Sequence, residues 1–169
     1  TCKKSQATYL YPLVVLALST GARRGELLGL TWGDIDFKRK VAILHQTKND
    51  ERRALPLTGQ ALDCVEKLSE IRRIDTNLLF PDETGKKPIE IRPAWERVLK
   101  ETGIEDFKFH DLRHSAASYL AMNGASLAEI AEVLGHKTLQ MVKRYSHLSE
   151  QHTVDVVSRM NKKIFGDGQ

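Results

Sequence analysis

The sequence predicts a mainly α-helical fold with a small three-stranded antiparallel β-sheet, an α+β arrangement, and three observations carry that prediction. Apolar residues recur at three- and four-residue steps through several segments of helical length. Most of those segments are followed by Gly or Pro, the residues that stop helices. One interval, residues 35–57, instead alternates apolar and polar side chains and breaks twice at charged turns. With 169 residues, 41% apolar and 28% charged, the chain suits one domain with a real core, expected over residues 1–169.

Residues 1–7 are polar and expected to fray. A helix follows from Thr8 or Tyr9 to Ser19, with Pro12 tolerated because it falls near the first turn. Thr20-Gly21 punctuates it, and Ala22 to Leu30 forms a short helix whose Leu27 and Leu30 face the core. Trp32 and Ile35 carry the apolar anchoring into the sheet. Ile35-Asp36-Phe37, a turn at Lys38-Arg39-Lys40, Val41 to Leu44, a turn at Lys48-Asn49-Asp50-Glu51 and Arg53 to Leu57 make a meander. Lys48 projects from the tip or shoulder of its second hairpin. Thr58 can N-cap a helix with Leu62, Val65, Leu68 and Ile71 on its apolar face. Leu78-Leu79-Phe80-Pro81 is a short apolar run between the polar loops Asp75–Asn77 and Asp82–Pro88. A helix from about Ile91 to Glu101 carries Trp95, Val98 and Leu99 and stops at Gly103.

The window His110 to Tyr145 holds the densest set of groups suited to phosphate chemistry. His110 and Arg113 are three apart, so on a helix they share a face. Ser126 and Glu129 form a capping box that starts a helix, Gly135 is placed to end it, and His136 sits just beyond. A short helix from about Thr138 carries Tyr145. Val154, Val157, Met160 and Ile164 then mark a last amphipathic helix over residues 150–164, packing in cis or in trans.

Bulk properties exclude some classes. The net charge of +4 permits a polyanionic partner without proving one. Cys2 and Cys64 have neither pairing nor metal-type spacing, which fits a reducing compartment. No apolar run reaches membrane-spanning length. There is no secretory n-region and no initiator Met, and the abrupt start suggests a piece of a longer protein.

Among the candidate groups, Arg113 lies between buried-looking neighbours, so its guanidinium must meet a carboxylate or enter a cleft. Arg23 precedes Glu26 by three, so Glu26 can orient it. A lone Arg is most often solvated, but two guanidiniums from distant segments present flat forks that bind phosphate oxygens. A tyrosine phenol ionises near about 10 and attacks nothing unless neighbours take its proton. For Tyr145, His110, His136 and the arginines supply such neighbours. His110 and His114, four apart, match a zinc-binding spacing. Asp111 stands where metalloprotease helices carry Glu, no third ligand presents itself, and Arg113 would repel the ion. The metal reading is therefore disfavoured.

These residues resemble the catalytic domain of the tyrosine recombinases, the phage-integrase type of site-specific DNA recombinase. The matching motifs are Thr20-Gly21-Ala22-Arg23-x-x-Glu26, Trp32-x-Asp34-Ile35-Asp36, Thr47-Lys48, Leu79-Phe80-Pro81, His110-x-x-Arg113-His114, Leu134-Gly135-His136 and Tyr145. They cover nearly the whole chain in the family's order. The resemblance implies that Arg23 and Arg113 clamp the scissile phosphate and that His136 donates a further hydrogen bond. It implies that Tyr145 attacks phosphorus to give a 3′-phosphotyrosyl link, that Lys48 protonates the leaving 5′-oxygen, and that His110 helps move the tyrosine's proton. Glu26 and His114 are supporting residues. On charge alone Arg24 could replace Arg23, and Lys38, Arg52 and Arg53 rival Lys48; the Gly-x-Arg-x-x-Glu register favours Arg23.

The resemblance further implies strand breaking and rejoining without metal, ATP or another cofactor. The expected partner is double-stranded DNA, bound by a homo-tetramer, with the isolated domain a monomer. A phage or bacterial cytoplasm, DNA integration and mobile elements fit the same reading. The family's N-terminal DNA-clamping domain is expected to be absent from this stretch. The alternative is a non-catalytic DNA-binding module of the same fold.

Overall fold

A computed structural model describes residues 1–45 and 52–166. The chain divides into two compact units, Thr1–Ala116 and Ala117–Gln169.

In the first unit, α1 (Leu10–Thr20) buries Leu10, Leu13, Leu16 and Ala17 along one stripe. Pro12 lies in its first turn, where no intrahelical donor is lost. Gly21 ends the helix in the left-handed region at φ 60°, a conformation that is cheap only without a Cβ. The short α2 (Arg24–Leu28) drives Leu27 fully into the core, and Leu30 follows it.

A 3-10 turn at Trp32–Asp34 leads into the sheet, whose order is β1 (Ile35–Asp36), β2 (Val41–Leu44) and β3 (Arg53–Pro56), all antiparallel. The register pairs Ile35 with Ala42 and Ala42 with Leu55, so these three meet on the buried face. Leu44 pairs with Arg53 on that same face, because side chains alternate along a strand.

Next, α3 (Gln60–Glu70) departs from expectation in two ways. Its N-cap is Gly59, at φ 48°, and not Thr58, since the chain enters the helix through a positive-φ corner that Thr would find strained. Its buried residues are Ala61, Cys64 and Val65, whereas Leu62 and Leu68 are half-buried and Ile71, past the helix end, is exposed. Small residues on the inner face let the helix lie close to its neighbours, and the larger side chains flank it. In α4 (Arg92–Thr102), Trp95 and Val98 face the core, and Gly103 ends the helix at φ 65°. Residues 1–7 are less loose than expected, as Cys2–Lys4 form a 3-10 turn and Cys2 and Ala7 pack against the core.

The division between the units falls inside α5 (Asp111–Met122). In the second unit, Ala117 and Ala121 of α5 meet Ile130, Ala131 and Leu134 of α6 (Leu127–Leu134) in a small core completed by Val142 and Tyr145. Two 3-10 segments, Leu139–Met141 and Lys143–Ser149, precede α7 (Glu150–Phe165). The segment carrying Tyr145 is therefore 3-10 and not the α-helix the sequence suggests, and Thr138 stands just before the first turn without a side-chain capping bond. Among the described residues no helix is long and apolar enough to cross a membrane.

Candidate active site

In the first unit Arg23 and Arg113 meet at one locked turn. The Thr20 hydroxyl donates to the Leu16 carbonyl at 2.6 Å and accepts the Ala22 N–H at 3.2 Å, which pins the chain on both sides of Gly21. The Gly21 carbonyl then accepts Nη1 of Arg113 at 2.6 Å. Arg113 is 4% exposed, so this contact fixes a buried cation from α5 on the loop that leads to Arg23.

Arg23 stands at the N-cap of α2, in extended conformation. Its backbone N–H donates to Oε2 of Glu26 at 2.8 Å, and its Nη1 donates to Oε1 at 2.7 Å. Glu26 thus caps the helix and orients the guanidinium with one carboxylate, as the three-residue spacing predicts. A residue that the sequence names only as a rival to Lys48 joins them. Arg53, from β3, donates Nη2 to Oε2 of Glu26 at 2.8 Å, so two guanidiniums share one carboxylate. Burial pushes the Arg53 guanidinium down; Glu26 opposes that shift and Arg23 adds to it. It stays charged, as guanidinium does at any physiological pH. The signal for Arg53 was present in the alternation Arg53, Leu55, Leu57, which sets an arginine in an inward-facing series.

His110 does not sit within a helix beside Arg113, as its spacing suggests. It occupies the turn before α5, closed by the Lys108 N–H donating to the Asp111 carboxylate at 2.7 Å. Its ring is exposed and meets that of His114 edge-on, with centroids 5.2 Å apart and planes at 88°. A cavity of about 550 Å3 opens beside His110, floored by Trp95 and Phe109 and rimmed by Arg24, Arg92 and Lys108. No cluster of three or more His, Cys, Asp or Glu side chains is arranged for a metal ion among the described residues.

In the second unit, the capping box forms as predicted. Ser126 Oγ accepts the Glu129 N–H at 3.2 Å, and Glu129 Oε2 accepts the Ser126 N–H at 2.7 Å. Gly135 ends α6 at φ 63°, its N–H bonding the Glu132 carbonyl, while the His136 N–H bonds the Ala131 carbonyl at 2.8 Å. This paired closure fixes where the half-buried His136 leaves the helix. Tyr145 is 6% exposed, held in the small core, with its backbone N–H on the Val142 carbonyl at 2.9 Å. Lys48, the sixth expected catalytic residue, lies outside the described residues.

Residues 1–152 match the phage integrase family. The integrase of Salmonella phage P22 is 32% identical over 169 residues, a match that covers 93% of this chain and 43% of that protein. The catalytic domain of bacteriophage HP1 integrase superposes with a TM-score of 0.71 at 25% identity, covering 99% of this chain and 90% of that one. The integrase of the transposon Tn1549, solved in complex with a circular intermediate DNA, gives a TM-score of 0.78 at 21% identity, covering 94% of this chain and 61% of that one. The chain spans about half the length of the curated relatives it matches, from 40% to 52% for five of them. By the match over most of its length and the shared fold, the chain belongs to the phage integrase family, the tyrosine recombinases, with their catalytic-domain fold.

Proposed function

We propose that this chain is the catalytic part of a site-specific DNA recombinase that cuts and rejoins strands through a 3′-phosphotyrosyl intermediate. The observation that carries the reading is the Arg113–Gly21 bond beside the Arg23–Glu26 pair. It holds a buried guanidinium on the loop that bears a second one. In-line displacement at a phosphodiester builds negative charge on the non-bridging oxygens, and fixed donors aimed there are the largest catalytic contribution available to side chains. In this reading Arg23, Arg113 and His136 hold those oxygens. The Tyr145 phenolate oxygen bonds to phosphorus as the bond to the 5′-oxygen breaks. Lys48 gives that oxygen a proton, and His110, supported by His114, takes the one Tyr145 releases. The phosphotyrosyl link conserves the bond energy for rejoining, so no ATP or metal enters the scheme.

Double-stranded DNA is the substrate and bacterial cytoplasm the setting, in keeping with the phage and bacterial relatives. Assembly as a tetramer on DNA draws support from α7, which exposes Val154, Val157, Met160 and Ile164, an apolar face suited to docking on its own domain or on a second subunit. One observation favours the alternative of a non-catalytic DNA-binding module, namely the burial of Tyr145. Trapping decides between them. A nicked suicide duplex carrying the recombination site is expected to become covalently attached to the protein, and Tyr145→Phe to abolish the adduct while leaving DNA binding nearly intact. An adduct that persists in the phenylalanine variant assigns the nucleophile elsewhere.

A further inference from the structure

The mechanism above gives no role to a half-buried cation beside the arginine clamp. Arg53 lies on the inward face of β3, in register with Leu44 and two residues from the buried Leu55, where an alternating strand normally places an apolar side chain. Its side chain is 12% exposed and its Nη2 lies 2.8 Å from Oε2 of Glu26, the carboxylate whose other oxygen holds Arg23 at 2.7 Å. We propose, resting on the recombinase reading, that Arg53 is a positioning residue for the Arg23 phosphate clamp, acting through Glu26.

Two physical effects support the role. The first is geometric. Without Arg53 the carboxylate is tied to Arg23 through the backbone N–H on Oε2 and Nη1 on Oε1, both within the short turn that opens α2. Fixing Oε2 from β3 anchors that turn to the sheet, and with it the fork of Arg23. The second is electrostatic. Glu26 alone would cancel the charge that Arg23 needs in order to attract a phosphate. Two guanidiniums on one carboxylate leave a net positive charge in a setting that is 8% to 24% exposed, where solvent screens it little. The arrangement also ties the clamp to the strand that follows Lys48 in sequence.

The test uses the full-length protein and a nicked duplex built from the site that selection out of random duplex DNA returns for the wild type. Single-turnover adduct formation is followed at saturating DNA, alongside affinity for the intact duplex and thermal unfolding. Misplacing a catalytic group by an ångström or so costs on the order of 100-fold, so Arg53→Met is expected to slow adduct formation by about that factor while its DNA affinity stays within about threefold. Arg53→Lys, which keeps the charge but not the fork, is expected to recover at least about tenfold of that loss. Because both residues act through one carboxylate, the Glu26→Gln/Arg53→Met double variant is expected to be no slower than the slower single variant. Should Arg53→Met fail to fold, partial loss at saturating DNA in the folded Arg53→Lys protein supports the same role. Folded Arg53 variants that react within about twofold of wild type at saturating DNA would overturn the proposal, as would losses at Glu26 and Arg53 that multiply independently. A wild-type protein that forms no Tyr145-dependent adduct removes the recombinase reading itself, and this inference with it.

Discussion

Arg113 is the residue at which burial and chemistry meet most directly. A guanidinium 4% exposed needs donors satisfied inside the protein, and one goes to the Gly21 carbonyl. Lysine offers a point charge with no rigid fork, so it cannot keep that carbonyl and also present a flat face to a phosphate. Arg113→Lys is therefore expected to cut the adduct-formation rate by about 10²–10³-fold, the usual loss of a transition-state donor, with DNA affinity little changed. At Glu26, exchange of the carboxylate for an amide weakens bonds to two guanidiniums at once. Glu26→Gln is expected to cost about 1–3 kcal/mol of stability, read from chemical denaturation. A loss indistinguishable from zero would show that neither ion pair persists in solution.

At the scale of elements, what matters is how each helix begins and ends. Of the sequence-predicted caps, the box at Ser126 and Glu129 and the stop at Gly135 form as read, because both are local and satisfied within a few residues. Ser126→Ala should lower stability by about 1 kcal/mol, measured as a shifted denaturation midpoint at unchanged slope. Gly135→Ala forces a Cβ into the left-handed region at φ 63°, at about 1–2 kcal/mol. It should also slow adduct formation by moving His136, a readout that Ser126→Ala leaves nearly untouched. The Thr58 cap fails for a related reason: the corner before α3 requires positive φ, and only Gly59 meets that cheaply.

For the whole molecule, a net charge of +4 is small beside the charge of a DNA duplex, so the DNA binding proposed above rests on where the cations lie. Arg24, Arg92 and Lys108 rim one cavity beside His110, although Glu96 pairs with Arg92 there. DNA binding should weaken linearly with the logarithm of salt concentration, and Lys108→Ala should reduce the slope by about one phosphate's share. An unchanged slope would place the DNA elsewhere. Truncation before α7 should leave adduct formation on a half-site measurable while reducing assembly on a full site, followed by native gel mobility.

The sequence by itself determined the fold class, the order of the helices, the antiparallel meander, the pairing of Arg23 with Glu26 and the helix ends at Gly103, Ser126 and Gly135. Each is settled by interactions within a few residues or by strand alternation, so spacing alone encodes it. Only the tertiary structure decided that Arg53 shares Glu26 across 27 positions, that Arg113 reaches Gly21 across 92, and that Tyr145 is buried in a small core. Those contacts depend on which inward-facing side chains meet once distant segments pack. A buried charge takes whatever partner the packing supplies, and no local pattern names it.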